Sequence, residues 1–174
     1  MKMPFVHHVR TRVGDRRTST LFYKSHDDLP IPRIVQLDEH SCGFLAALAV
    51  AQYFYPQLTV REVLRTVGHS PRWGINEKGI IRGLKRLGIK AEERWGLGWA
   101  KLKRLTSEGT PVITCIWPND WDCSHWTAIR GLKGRTRRRV LLSNYPYTDD
   151  DGSIGWYAFQ YLWNWNGWGI VCSI

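Results

Sequence analysis

The sequence predicts an α+β domain, with N-terminal helices packed on a C-terminal antiparallel sheet. Three observations carry this. Apolar residues between positions 42 and 107 recur at spacings of three and four, the period of helices buried on one face. From position 111 the pattern changes to short runs of Val, Ile, Thr and aromatic residues, the composition of strands. Helices first and strands second is the order of an α+β fold, whereas a parallel sheet alternates the two.

Residues 1–33 read as a basic extension. Lys2, Arg10, Arg12, Arg16, Arg17, Lys24 and Arg33 outnumber Asp15, Asp27 and Asp28, and Pro30 and Pro32 close the segment. It is expected to pair as a β-arm or to lack fixed structure, with Val6, Val9, Leu21, Phe22 and Tyr23 available to pack on the body. The domain proper is expected over 34–174. Its first helix, 42–54, carries Leu45, Leu48, Ala49 and Gln52 at i, i+3, i+4 and i+7 and is stopped by Pro56. A second starts at Thr59, with Glu62 completing a capping-box pattern, and ends at Gly68. A third is capped by Asn76, places Ile80, Ile81, Leu84 and Leu87 on one face, and stops at Gly88. A short fourth spans 99–107 around Leu102 and Leu105. Strands are expected over 111–117, 125–132 and 140–145, and a weaker one over 89–95. A turn at Asp149-Asp150-Asp151-Gly152 leads to a helix over 156–163 and a last strand over 170–174.

A length of 174 residues suits one domain with a core that needs no disulfides. The four cysteines, Cys42, Cys115, Cys123 and Cys172, are scattered and form no Cys-x-x-Cys pair. A net charge of +10 favours an acidic partner or surface. No apolar run reads as a secretory signal or a membrane span, so a cytoplasmic location is expected. Of ten tryptophans, six lie between Trp117 and Trp165, which implies a large aromatic core or an aromatic-lined cleft.

The stretch from Val35 to Val50 carries the chemistry. Cys42 stands at the start of the first helix, where the macrodipole favours a thiolate. Gln36, six residues upstream, supplies an amide donor able to stabilise an oxyanion. A cysteine nucleophile needs a histidine base and a residue to orient it, both far downstream in sequence. His125, in Ser-His-Trp-Thr-Ala-Ile, and Asn144, in Leu-Leu-Ser-Asn-Tyr-Pro, stand in those places. A cysteine at a helix start is ordinarily an inert buried residue; the ordered set of four raises Cys42 above that. Cys123 with His125 makes a weak metal pair without a second ligand pair, so no metal and no cofactor is expected. His7, His8, His26, His40 and His69 read as surface or loop residues, with His40 close enough to Cys42 to stand in a cleft.

Gln36, Cys42-Gly43 and the Ala/Leu-rich helix resemble the bacteriocin-processing, or double-glycine, peptidases, a family of papain-like cysteine peptidases. The resemblance covers roughly residues 34–172. It continues through Gly79, the helix ending in Leu87-Gly88-Ile89, Thr110-Pro111-Val112-Ile113, His125 with Thr127, Ala128 and Ile129, and Asn144-Tyr145-Pro146. It implies a papain-like cysteine peptidase fold in a stand-alone member, which hydrolyses a peptide or protein after small residues such as Gly-Gly. It also implies roles: Cys42 as nucleophile, His125 as base and then acid, Asn144 as the orienting group, and Gln36 with the Cys42 N–H as the oxyanion hole. The sequence departs from the family's pattern at Asn144, where Asp is usual, and Tyr145 is inserted before Pro146. An amide can still accept from a ring N–H, though it stabilises an imidazolium less than a carboxylate does. Asp122 is a weaker substitute, only three residues from His125. Two other readings use the same residues: a deamidase or transglutaminase, or a catalytically weak domain that binds a peptide or an acidic partner. The extension and the run from Arg135 to Arg139 would supply such an acidic contact, and the run also reads as a solvated hairpin loop. No nucleic-acid motif is present, so no specific nucleic-acid partner is expected. Trp126, next to His125, is the expected wall of a narrow cleft.

Overall fold

The computed structural model describes residues 29–36, 38, 40–118, 124–146, 148–163 and 166–174 in full, and upstream of them the backbone of three short strands. Val6, Val9, Phe22, Tyr23, Asp122, Cys123, Trp121, Trp165, His7, His8 and His26 lie outside the described residues. In chain order the elements are β1 (Thr11–Val13), β2 (Arg16–Thr18), β3 (Thr20–Leu21), β4 (Arg33–Ile34), α1 (Cys42–Phe54), α2 (Val60–Val67), α3 (Glu77–Arg86), β5 (Lys90–Arg94), α4 (Trp99–Ser107), β6 (Val112–Ile116), β7 (His125–Lys133), β8 (Arg139–Leu142), β9 (Ser153–Gly155), α5 (Trp156–Leu162) and β10 (Gly169–Ser173). The main sheet is antiparallel, with six strands in the order β5-β10-β6-β7-β8-β9. β1 pairs with β2 and β3 with β4.

α1 is the axis of the molecule. Cys42 through Ala51 are all buried, because one side of the helix faces β6 and β7 and the other faces α2 and α3. A helix enclosed on all sides must be apolar all round, which its Ala/Leu/Val composition provides. Phe44, Leu45 and Leu48 contribute roughly 1.5–3 kcal/mol each by leaving water. α2 carries the expected capping box: Glu62 N–H donates to Thr59 Oγ1, and Thr59 N–H donates to Glu62 Oε2. Asn76 caps α3 by accepting from Gly79 N–H at 2.9 Å. Where α2 meets α3, Gly83 permits close approach: a Cβ there would lie 2.6 Å from Val67 Cα.

The sheet separates two cores. On the α1 side lie Ile113, Cys115, Trp126, Ala128, Ile170 and Cys172; on the α4 and α5 side lie Val112, Ile116, Ile129, Leu142, Phe159 and Trp163. Neighbours in sequence thus point to opposite faces, as the pleat requires. Leu29 and Ile31, which the sequence places in the extension, are buried in the α1-side core together with Ile34. Leu29 N–H donates to Arg130 O and Ile34 N–H to Ser143 O.

β8 ends at Leu142, short of the expected 145, beside a register shift in β7 between Ile129 and Gly131. β9 has no counterpart among the expected strands; three residues are too few to show a period. The acidic turn before it meets the basic hairpin. Asp151 pairs with Lys133 and Asp149 with Arg139, while Asp150 O accepts from Arg33 Nη1 at 2.6 Å. Arg138 lies over the Trp99 ring at 5.2 Å. Part of the 135–139 charge is therefore engaged within the fold, and Arg135 and Arg137 are exposed. Among the described residues no helix is long and apolar enough to cross a membrane.

Candidate active site

Cys42 opens α1 and is 9% exposed. Ser41, before it, makes no side-chain cap. Asp38 takes that place: its Oδ1 accepts from His40 N–H at 2.9 Å and Ser41 N–H at 2.7 Å. Burial raises the Asp38 pKa, but the Ser41 hydroxyl and these backbone N–H groups outweigh it, and the net shift is downward. Gln36 Nε2 donates to Asp38 O at 2.5 Å, so the amide folds back on the loop that leads to the thiol. Gln36 Oε1 is buried without a hydrogen-bond partner among the described residues.

His125 is the first residue of β7, at the end of the strand. Its Nε2 lies 3.1 Å from the backbone oxygen of Asn144. A carbonyl can only accept, so Nε2 carries the proton and Nδ1 holds the lone pair. The ring is 1% exposed and packs against Tyr145 at 5.6 Å between centroids. Burial lowers its pKa to about 4, with the Asn144 carbonyl opposing the shift.

Asn144 ties the pieces together. Its Nδ2 donates to Trp126 O at 2.9 Å and to Cys42 O at 3.3 Å, and its Oδ1 accepts from Ser143 Oγ at 2.8 Å. Ser143 Oγ also accepts from Ala128 N–H at 3.1 Å. Cys42 and His125 are thus both hydrogen-bonded to Asn144, one to its side chain and one to its backbone. The Asn144 group that meets the ring is the backbone carbonyl, where the sequence leads one to expect the side-chain amide. Gln36 stays in the preceding loop, held by Asp38. Asp38 is a site residue that the sequence does not single out, although an Asp three residues before the Ser that precedes a helix is a capping signal. Nothing in the sequence marks Ser143.

Trp126 crowds the helix start. A Cβ on Gly43 would lie 3.2 Å from Trp126 Cδ1 and 2.7 Å from Ile75 Cγ2. From Trp126 a run of edge-to-face indoles leads outward: Trp168 at 5.7 Å, then Trp95 at 6.2 Å. Among the described residues no three metal-ligating side chains cluster.

Solved structures share this fold. A double glycine motif protease from an AMS/PCAT transporter, solved with its leader peptide, aligns with a TM-score of 0.60 at 19% identity, covering 85% of this chain and 94% of that one. The peptidase domain of Streptococcus ComA, a bifunctional ABC transporter of a quorum-sensing pathway, aligns at 0.60 and 16%, covering 86% and 98%. A C39-like peptidase from Bacillus anthracis aligns at 0.61 and 15%, covering 86% and 98%. No protein-family model matches the chain, and no curated protein matches it. The fold is the papain-like one of double-glycine and C39-like peptidase domains, as the sequence predicts.

Proposed function

We propose that the chain is a cysteine peptidase that hydrolyses a peptide bond after small residues, Gly-Gly among them. The observation that supports it best is the Cys42–Asn144–His125 linkage on a fold shared with peptidase domains. The His125 Nδ1 lone pair takes the Cys42 proton as the sulfur attacks the scissile carbonyl. The Cys42 N–H and the Gln36 amide receive the oxyanion once Gln36 turns from Asp38. The imidazolium, poorly stabilised in its dry setting, then readily protonates the leaving amine. Water, deprotonated by the same nitrogen, releases the acid from the thioester. The leader peptide bound to the AMS/PCAT protease supports a peptide occupant. The body 34–174 carries this site and the extension 1–33 accompanies it; a cytoplasmic setting and a salt-sensitive acidic contact through the extension, Arg135 and Arg137 belong to the same proposal.

A second reading, a peptide-binding domain with little catalysis, is favoured by one observation: the Asn144 amide serves the Trp126 and Cys42 carbonyls, and the ring is neutral. Peptides ending Gly-Gly, Gly-Ala, Ala-Ala and Leu-Leu before the bond separate the readings, with Cys42→Ala as control. Cleavage of the first two but not of Leu-Leu supports the proposal. Ammonia released from glutamine peptides without cleavage points to a deamidase. Tight binding by both proteins without product points to the binding domain.

A further inference from the structure

α5 presents an aromatic face to solvent. Its inner side, Trp156 and Phe159, is core. Its outer side holds Tyr157, Ala158, Gln160 and Tyr161, all exposed. Tyr157 and Tyr161 stand at i and i+4, hence on one side of the helix, and are 86% and 71% exposed. No residue of α5 is charged. Trp117 N–H donates to Leu162 O at 2.8 Å, which brings a third ring, 46% exposed, to the far end of the helix.

Cations border this face and do not mix with it. Trp156 N–H donates to Arg138 O at 2.9 Å, so the basic hairpin abuts the first turn of α5. Arg135, Arg137 and Arg138 are exposed there, Arg138 over the Trp99 ring. Trp99 in turn meets Trp156 at 5.2 Å, and α4, which begins with Trp99, exposes Lys101, Lys103 and Arg104. Of the acids that end α4 or form the turn before β9, Glu108 pairs with Arg104, Asp149 with Arg139 and Asp151 with Lys133; Asp150 has no ion pair among the described residues. The border of the face is therefore strongly positive.

Tyrosine and tryptophan join an apolar body to a polar tip, and they concentrate where membrane hydrocarbon gives way to headgroups. Lys and Arg beside such rings meet anionic headgroups. A protein partner would seat the rings in matching pockets, and a nucleic-acid strand would want them inside a positive groove where bases stack. Rings along an open helix face, with cations gathered at its border, suit a fluid anionic sheet. We propose that the α5 face docks the protein on an anionic lipid surface, with Tyr157, Tyr161 and Trp117 as interfacial anchors and Arg135, Arg137 and Lys101 as headgroup contacts. This docking gives the acidic contact proposed above its partner and does not depend on the peptidase reading. The cores under α5 and α1 lie on opposite sides of the main sheet, so docking by α5 keeps Cys42 away from the lipid.

The test is co-sedimentation of the full chain with phosphatidylcholine vesicles, with and without phosphatidylglycerol. Binding is expected only with phosphatidylglycerol, and should weaken as NaCl rises from about 0.1 M to about 0.5 M. Arg135→Gln with Arg137→Gln should weaken it roughly twentyfold, about fivefold per charge. Tyr157→Ser with Tyr161→Ser, which changes no charge, should weaken it about tenfold. Arg82→Gln with Lys85→Gln removes the same charge from α3 and should change it less than about threefold. All six side chains are exposed, and unchanged thermal unfolding verifies that each variant folds. Equal losses from the hairpin pair and the α3 pair mean that net charge alone drives binding, and overturn the inference. So does a lack of binding to anionic vesicles, or binding that the tyrosine pair leaves unchanged. Tighter binding to polyglutamate or to single-stranded DNA than to the vesicles, again dependent on the tyrosines, gives the face a different partner and overturns it too. Cys42→Ala should bind vesicles as the unaltered chain does, while peptide cleavage measured without vesicles tests the peptidase reading separately.

Discussion

His125 is held neutral in the folded chain by its dry surroundings. Its pKa there is about 4, against an ordinary value of 6.5, and burial is the cause. The unfolded chain therefore takes up a proton near pH 6.5 that the native chain refuses until about pH 4. Protons favour the unfolded state across that window, so stability should rise from pH 4 to 6.5 and level off above it, with a slope of up to about 1.4 kcal/mol per unit. Urea titrations across that range check this, and His125→Gln should flatten the slope. Asn144 gives the complementary prediction. Asn144→Ala removes donors from the Cys42 and Trp126 carbonyls, which should cost roughly 2–4 kcal/mol of stability. The ring's partner in Asn144 is a backbone oxygen that alanine retains. The acid limb of any kcat/KM profile should therefore stay where it is, and a shift of more than about one unit would return the orienting role to the side chain. The residue types were legible in sequence; which atom of Asn144 faces the ring was not, since a backbone contact leaves no mark in side-chain identity.

At the scale of elements, helices were the easiest to read. α2 and α3 announce both ends through Thr59, Glu62, Asn76 and glycine stops, and α4 falls on its expected bounds. These signals are local, so no tertiary knowledge is needed. β9 and the true end of β8 depend on a register shift in the neighbouring strand, which is non-local. α3 carries a cost in plain view. Lys78, Arg82, Lys85 and Arg86 are exposed along one side, so that Arg82 has like charges at i−4, i+3 and i+4. Arg82→Glu should turn three repulsions into attractions and stabilise the chain by roughly 1 kcal/mol, read as a higher Tm at low salt that shrinks in about 1 M NaCl. Gly83→Ala should act oppositely. The added methyl meets the Val67 backbone, which cannot swing aside, and a loss of about 2–3 kcal/mol in chemical denaturation is expected.

Over the whole molecule, helices packed on an antiparallel sheet follow from the helix-then-strand sequence, whereas the strand order, with β10 between β5 and β6, is set by non-local pairing. The reach of the core was not legible either. Leu29 and Ile31 stand beside prolines in a basic segment, so periodicity could not show them as core; only the closed structure places them in the core on the α1 side of the sheet. Ile31→Ala should cost about 2–4 kcal/mol, as a buried truncation does elsewhere. An exposed control, Val35→Ala, should change little. If both variants denature alike, the segment contributes no packing.

The row of indoles from Trp126 through Trp168 to Trp95 has an optical consequence. Edge-to-face rings at 5.7 and 6.2 Å are close enough for their excited states to couple. Trp168 is doubly anchored, its Nε1 donating to Glu93 and its carbonyl accepting from Trp163 Nε1, so the geometry of the coupling is fixed. A fixed, asymmetric array of this kind gives near-ultraviolet dichroism stronger than isolated indoles would. One end of the array touches the first turn of α1 beside Cys42, and the other stands in solvent. Excitation can therefore pass along the array between the buried and the exposed end, and alkylation of Cys42 at the Trp126 end is expected to change the tryptophan emission, a readout that needs no label.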